Sequence, residues 1–296
     1  MEHIRKNFGF GCMRLPMDGE NVNIPETKQM VDAFLDAGFN YFDTAHGYLQ
    51  GKSETALREC LTSRYPRERY ILTDKLTANF FKTEADIRPF FESQLAACGV
   101  EYFDFYLMHA QGAGNYPHFR ECHAYETAFR LKAEGKVRHV GISFHDTAEV
   151  LEQILADYPD IEVVQIQFNY LDYDDPAVQS HRCYEVCRKH GKPVIVMEPV
   201  KGGNLVNLPL LHRRLSPAHL HPRSVRGHEH QADPPQLECR LLLRHLCHRG
   251  AQGLRLHQVR PVREGLSPAS GHPAAAGGCG EGVWIMYNKL RKKKRA

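Results

Sequence analysis

The sequence predicts an α/β fold: an incomplete (β/α)8 TIM barrel with about seven recognisable βα units and an irregular C-terminal region. Between residues 8 and 200, short apolar runs alternate with amphipathic stretches, which is the pattern of repeated βα units around a parallel sheet. Several runs are continuously apolar, as strands are when both faces of a sheet are covered. The length of 296 residues is sufficient for one large barrel.

The apolar runs are candidate barrel strands, and the stretches between them are candidate helices. Pro25 stands near the start of one stretch, which runs to Ala37 and ends before Gly38, as helices often do. Two later stretches, 83–98 and 119–134, also end immediately before a glycine. Strands are predicted at residues 9–15, 39–44, 70–76, 103–109, 137–144, 163–170 and 193–200.

The composition changes after residue 208, which predicts two regions: an incomplete barrel over residues 1–208 and an aberrant or poorly ordered region rich in His, Arg and Pro over residues 209–296. No lysine occurs between Lys201 and Lys289. A change of reading frame in the gene near residue 209 would explain this composition. A metal-binding tail is the alternative, although its histidines lack a recognisable zinc spacing with cysteines. They are His219, His221, His228, His230, His245 and His248.

Charge and cysteine content exclude several classes of protein. The 38 basic and 35 acidic side chains nearly balance, so composition does not favour a nucleic acid or an acidic membrane surface as partner. No stretch approaches the roughly 18 apolar residues of a membrane span, and no signal peptide begins the chain, so we expect a cytoplasmic protein. The nine cysteines are irregularly spaced and fit neither a disulfide framework nor a zinc ribbon.

Polar residues follow almost every candidate strand, at the end of a barrel where functional groups are found. Three of them, Gln165, Gln167 and Asn169, share one strand face because their spacing is two. The others are Asp43, Tyr48, Lys75, His109, Ser143 and His145. A single such residue is more often structural, but four reactive side-chain types at strand ends favour a catalytic site. The candidates for that site are Asp43, Tyr48, Lys75 and His109.

The chain resembles the aldo-keto reductase family over about residues 8–204. The motifs that carry the resemblance occur in the family's order. They are Gly-Phe-Asn-Tyr-Phe-Asp-Thr-Ala at 38–45 with Tyr48, Asp-Lys-Leu at 74–76, Leu-Met-His at 107–109, Gly-Lys-Val-Arg-His-Val-Gly-Ile-Ser at 135–143 and Gln-Ile-Gln-Phe-Asn-Tyr at 165–170. The similar bacterial branch often carries a C-terminal ferredoxin-like domain. Cys239, Cys247 and Cys279 do not supply its ligand pattern, so no iron-sulfur cluster is predicted.

The resemblance implies an NADPH-dependent enzyme that reduces a small aldehyde or ketone to an alcohol, without a metal. Tyr48 would be the general acid, and a neighbouring Lys75 would lower its pKa from the usual value of about 10. Asp43 would hold Lys75, and His109 would orient the carbonyl group. Ser143 and Gln165 would bind the nicotinamide carboxamide, with Asn169 in the same wall. The oligomeric state does not follow from the resemblance.

The chain also departs from the family's pattern. The family's eighth strand and the basic residues that hold the adenosine phosphate are not found after residue 209, apart from one candidate strand at 283–287 that lacks the phosphate-binding residues. A missing strand would leave two sheet edges open. The segment Glu198 to Gly203 also lacks the aromatic residue that many relatives stack on the nicotinamide. Two alternatives therefore accompany the reductase hypothesis: a non-catalytic nucleotide-binding or interaction protein, and an inactive truncated product.

Overall fold

A computed structural model describes residues 3–207 and the strand at 283–287. Ten strands are present in this part of the chain: β1 Phe8–Gly11, β2 Met17–Asp18, β3 Asn21–Val22, β4 Tyr41–Asp43, β5 Ile71–Leu76, β6 Phe103–Gln111, β7 Val137–Phe144, β8 Val163–Gln167, β9 Val194–Met197 and β10 Val283–Tyr287. The α-helices are α1 Ile24–Asp36, α2 Lys52–Leu57, α3 Glu84–Cys98, α4 Tyr116–Glu121, α5 Ala124–Ala133, α6 Ala148–Asp157 and α7 Ser180–Lys189.

Eight parallel strands form a closed barrel in the order β1-β10-β9-β8-β7-β6-β5-β4, which confirms the predicted (β/α)8 class. All seven predicted strands are present as β1 and β4 to β9. Two open edges were expected beside β1 and β9, but β10 pairs with both of these strands. Its residues are apolar, and their backbone groups complete the hydrogen-bonded ladder at each edge. The short strands β2 and β3 form a separate antiparallel pair.

Most of the predicted region 209–296 lies outside the described residues. This includes the six histidines considered as metal ligands and the three cysteines considered as cluster ligands. The only segment of that region described is β10, which coincides with the candidate strand at 283–287.

Local sequence signals account for the helix boundaries. Asn23 caps α1 by accepting the backbone N–H of Glu26 at 3.0 Å, and Thr83 forms a capping box with Asp86 at the start of α3. The predicted helix over 119–134 is wrong, because the chain there forms α4 and α5. His123 separates them with φ 49°, a left-handed conformation that a continuous α-helix cannot contain. Within the described residues, no helix is long and apolar enough to span a bilayer.

Side chains fill the lower part of the barrel interior. Gly141 of β7 is essential to this packing, because a Cβ atom there would lie 2.4 Å from Val163 Cγ1 and 2.8 Å from Leu107 Cδ2. Because this interior is filled, a ligand is expected at the mouth of the barrel, at the carboxyl ends of the strands. The interior cluster consists of Tyr41, Ile71, Phe105, Leu107, Val163 and Ile195.

Candidate active site

The four predicted catalytic residues lie together at the barrel mouth. Asp43 ends β4, Lys75 lies in β5 and His109 lies in β6, so three adjacent strands supply them. The Lys75 Nζ atom is 2.5 Å from Asp43 Oδ1 and 3.2 Å from Tyr48 Oη. The rings of Tyr48 and His109 meet edge to face, with their centroids 5.8 Å apart. The four predicted residues therefore form one cluster of contacting side chains.

Tyr48 is held in place by a tight turn between β4 and α2. Leu49 and Gln50, which follow it, both have left-handed backbone conformations, with φ 52° and 58°. Such strained residues persist only where surrounding contacts fix them. Two bonds anchor the turn: the Thr44 and Ser53 hydroxyls lie 2.8 Å apart, and His46 Nδ1 lies 2.8 Å from Glu54 Oε2.

Lys75 is a fully buried ammonium group. Burial opposes its charge, but the carboxylate of Asp43 and the hydroxyl of Tyr48 overcome this effect, and the pKa of Lys75 is raised above its usual value. The third ammonium hydrogen is donated to the Thr44 carbonyl oxygen at 2.7 Å. All three donors therefore have partners, which is the condition for burying a charge.

Lys75 acts to lower the pKa of Tyr48, as expected, but the net pKa of Tyr48 is raised. Burial raises the pKa of Tyr48 more than the charge of Lys75 lowers it, and the charge of Asp43 raises it further. A sequence shows the lysine but not the desolvation of the phenol. Tyr48 consequently keeps its proton at neutral pH, and Lys75 would stabilise a phenolate only after that proton has left.

His109 is neutral at physiological pH. Burial, the charge of Lys75 and the proximity of His145 lower the pKa of His109 to about 3. Its Nδ1 atom lies 2.7 Å from the hydroxyl oxygen of Thr77. The sequence analysis missed Thr77, although its position two residues after Lys75 places both side chains on one face of the strand.

Two of the three predicted cofactor residues also lie at the mouth. Gln165 in β8 donates from Nε2 to Asp43 Oδ2 at 3.0 Å, so it contacts the catalytic cluster from the opposite wall. The Ser143 hydroxyl, at the end of β7, accepts the backbone N–H of Ala110 at 2.8 Å, beside His109. The third residue is separate from this group.

Asn169 lies in the loop after β8, where its amide is fully engaged. Its Oδ1 atom accepts the backbone N–H groups of Leu171 and Asp172, at 3.0 and 3.1 Å. Its Nδ2 atom donates to Asp172 Oδ2 at 2.6 Å and to the Glu198 carbonyl oxygen at 3.2 Å. Lys201 also binds Asp172, at 2.5 Å. Asn169 therefore belongs to a network of loop contacts and does not contact the four candidate catalytic residues.

A pair of buried acids lies behind Lys75, on the outer face of the barrel. Asp74 precedes Lys75 in β5 and points the opposite way, toward Glu54 of α2. Gln94 of α3 bridges them, donating to Asp74 Oδ1 at 3.0 Å and to Glu54 Oε1 at 3.3 Å. Burial raises the pKa of Glu54 to about 7, although hydrogen bonds with Gln94 and Asp74 act to lower it. Sequence analysis missed this pair because nothing in the sequence indicates the burial of Glu54.

The donor set of the mouth fits an amide-bearing cofactor better than a metal ion. A nicotinamide carboxamide requires one hydrogen-bond donor and one acceptor, which the Ser143 hydroxyl and the Gln165 amide both provide. Among the described residues, no group of three or more His, Cys, Asp or Glu side chains has the arrangement of a metal site. Lys75, the lysine of the candidate cluster, already donates three hydrogen bonds within the protein and so has no free donor for a cofactor.

Comparison with known proteins agrees with this geometry. The profile of the Aldo/keto reductase family matches residues 7–259. An aldo-keto reductase of Mycolicibacterium smegmatis is 28% identical over 135 residues, which are 46% of this chain and 44% of the relative. A 9,11-endoperoxide prostaglandin H2 reductase of Trypanosoma cruzi is 25% identical over 179 residues, 60% of this chain and 58% of the relative. The chain thus spans about half the length of these two relatives.

Solved structures show the same fold. An aldo-keto reductase from Klebsiella pneumoniae, crystallised with NADPH, has a TM-score of 0.56 at 23% identity, covering 70% of this chain and 69% of that one. The holo form of an aldo-keto reductase from Bacillus halodurans has a TM-score of 0.56 at 25% identity, covering 69% and 66%. The matching profile covers most of the sequence and the catalytic cluster falls within it, so this chain belongs to the aldo/keto reductase family.

Proposed function

We propose that this protein reduces the carbonyl group of a small aldehyde or ketone to an alcohol, with NADPH as the hydride source and Tyr48 as the proton donor. One observation carries the proposal: a buried Lys75 binds both Asp43 and Tyr48, with a neutral His109 beside them. The NADPH complex of the Klebsiella pneumoniae relative supports the choice of cofactor. A non-catalytic nucleotide-binding protein would not need this arrangement of reactive groups.

The roles of the four residues follow from their charges. Tyr48 is protonated at rest, because the pKa of its buried phenol is raised, and it can therefore give its proton to the carbonyl oxygen. The ammonium of Lys75, 3.2 Å away, stabilises the phenolate that remains. Asp43 balances the charge of Lys75 inside the protein. His109 is uncharged and so can donate a hydrogen bond to the carbonyl oxygen without competing for the proton.

Ser143 and Gln165 are proposed to bind the nicotinamide carboxamide, and Asn169 is assigned to the same wall. The bound cofactor supplies the hydride, while the protein supplies position and electrostatics. Asn169 contributes by holding the 169–172 loop against the Glu198 carbonyl. The six cysteines of the described residues are free and buried, which supports the expected cytoplasmic location.

Replacement of Tyr48 by Phe tests this function. We expect turnover of p-nitrobenzaldehyde with NADPH to fall by roughly 10²–10⁴-fold, the usual contribution of a general acid, because only the proton donor is lost. NADPH affinity, measured by fluorescence titration, is expected to remain within about twofold, since no large contact is lost.

Tyr102→Phe is the matched control. Tyr102 lies at the opposite end of the barrel, where its hydroxyl accepts a hydrogen bond from Arg138 at 2.6 Å, so its loss should leave turnover unchanged. If NADPH binds and Tyr48→Phe turns over as fast as the wild type, the reductase mechanism is wrong and the nucleotide-binding alternative gains support.

A further inference from the structure

Thr77 occupies a defined position beside the catalytic cluster. It follows β5 directly, and the parallel register that pairs Lys75 with Leu107 and Leu76 with Met108 makes His109 its neighbour across the strands. The spacing of two also puts its side chain on the same face as that of Lys75. The bond of 2.7 Å between the Thr77 hydroxyl and His109 Nδ1 thus joins two positions that the strand register brings side by side.

The Thr77 hydroxyl does not cap the turn that follows it. Thr77 is the N-cap residue of the short 3-10 turn Ala78–Phe80, with φ −101° and ψ 131°. A threonine at such a position commonly accepts a backbone N–H of the turn, but this cap has no side-chain hydrogen bond. Within the described residues, the imidazole of His109 is the hydrogen-bond partner of the hydroxyl.

This bond matters because a neutral imidazole has only one N–H group. His109 is neutral, since burial and the neighbouring Lys75 and His145 keep its pKa low, and Tyr48 faces the ring from the β4 side. If the proton is on Nδ1, the other nitrogen presents a lone pair and cannot donate to a carbonyl oxygen. If Nδ1 accepts a hydrogen bond instead, the proton must be on Nε2.

We propose that Thr77 is a positioning residue: its hydroxyl donates to Nδ1 of His109 and fixes the tautomer that carries the proton on Nε2. The catalytic consequence rests on the proposed function, because this tautomer supplies the hydrogen bond that orients the carbonyl group. The tautomer itself is a property of the resting protein and can be observed without turnover.

Nitrogen NMR of the full chain labelled with ¹⁵N-histidine tests the proposal, with His109→Asn used to assign the resonances. We expect His109 to show a protonated Nε2 and a hydrogen-bonded Nδ1 between about pH 6 and pH 8. In Thr77→Val, Nδ1 should move to the shift of an unbonded nitrogen, and kcat should fall about tenfold with little change in NADPH affinity. Thr77→Ser retains the hydroxyl and should restore both.

A proton on Nδ1 in the wild type would overturn the proposal, as would a Thr77→Val spectrum identical to that of the wild type. If Thr77→Val does not fold, the wild-type and Thr77→Ser spectra still decide the tautomer. A protein that shows the expected tautomer but reduces no carbonyl would contradict the proposed function and leave the role of Thr77 in fixing the ring intact.

Discussion

The two walls of the barrel mouth are built differently. On the wall formed by β4, β5 and β6, Asp43, Lys75 and His109 belong to strands and Tyr48 lies in the turn after β4. The side chains of the Lys75–Asp43 pair are 0% and 2% exposed. On the wall formed by β8 and β9, the contacts of Asn169 lie in loops, and in the Lys201–Asp172 pair the lysine is 43% exposed while the carboxylate is 1% exposed. Three of the four candidate catalytic residues are thus held by the sheet, whereas the wall assigned to the cofactor depends on loop contacts that include a partly exposed lysine.

The largest expected difference between the walls is in the stability that is lost when the ion pair of each wall is broken. Lys75→Met leaves Asp43 buried without its partner, and removal of one member of a buried pair typically costs about 3–5 kcal/mol. Lys201→Met removes a partly exposed lysine, and Asp172 keeps its hydrogen bonds from Gln167 and Asn169, so the loss of stability should be much smaller. The free energy of unfolding in urea measures both effects. Equal losses in the two variants would show that the walls do not differ as described.

Two buried acids, one behind each wall, should also respond oppositely to pH. The pKa of Glu54, behind Lys75, is raised by burial to about 7 in the folded protein. Its contribution to stability is therefore complete below the unfolded pKa of about 4.5 and is lost as the pH rises through about 7. The pKa of Asp172 is lowered: burial opposes this, but hydrogen bonds from Lys201, Asn169 and Gln167 prevail. Asp172 therefore stabilises the protein above its unfolded pKa, and that stabilisation is lost as the pH falls through the folded value.

Glu54→Gln isolates the first of these effects. Relative to this variant, the wild type should lose at most about 3 kcal/mol of unfolding free energy as the pH rises from about 5 to about 8. Asp172→Asn is the control: it retains Glu54, so the difference in unfolding free energy between the wild type and this variant should stay constant over this range. A difference between wild type and Glu54→Gln that stays constant with pH would contradict the assignment of a raised pKa to Glu54.

A smaller loss of stability is expected from a change at Gln165, where the two walls are in contact. Gln165→Leu removes the bond from β8 to Asp43 Oδ2 and should cost about 1–2 kcal/mol of stability. It should also weaken NADPH binding about tenfold, if the amide contacts the carboxamide. Gln167→Leu, in the same strand, loses a bond to Asp172 instead and should leave NADPH affinity nearly unchanged. Titrations in which both variants bind NADPH like the wild type would remove Gln165 from the proposed cofactor site.

The sequence predicted the features that depend on strand periodicity and on residue types at strand ends. The seven strands and the convergence of Asp43, Tyr48, Lys75 and His109 follow from the rule that parallel strands bring their carboxyl ends together. Features that depend on burial were not predictable. The raised pKa of Tyr48 and the Glu54–Asp74 pair arise from desolvation, and the place of β10 between β1 and β9 depends on pairing across a long sequence separation.

The transfer of deuterium from labelled NADPH tests the central claim most directly. The purified full chain would be incubated with p-nitrobenzaldehyde and NADPH carrying two deuterium atoms at C4 of the nicotinamide ring, and the alcohol product analysed by mass spectrometry. A reductase of the proposed kind places one deuterium on the former carbonyl carbon, and Tyr48→Phe yields far less of the same labelled product. Absence of labelled alcohol from a folded protein that binds NADPH would contradict the account.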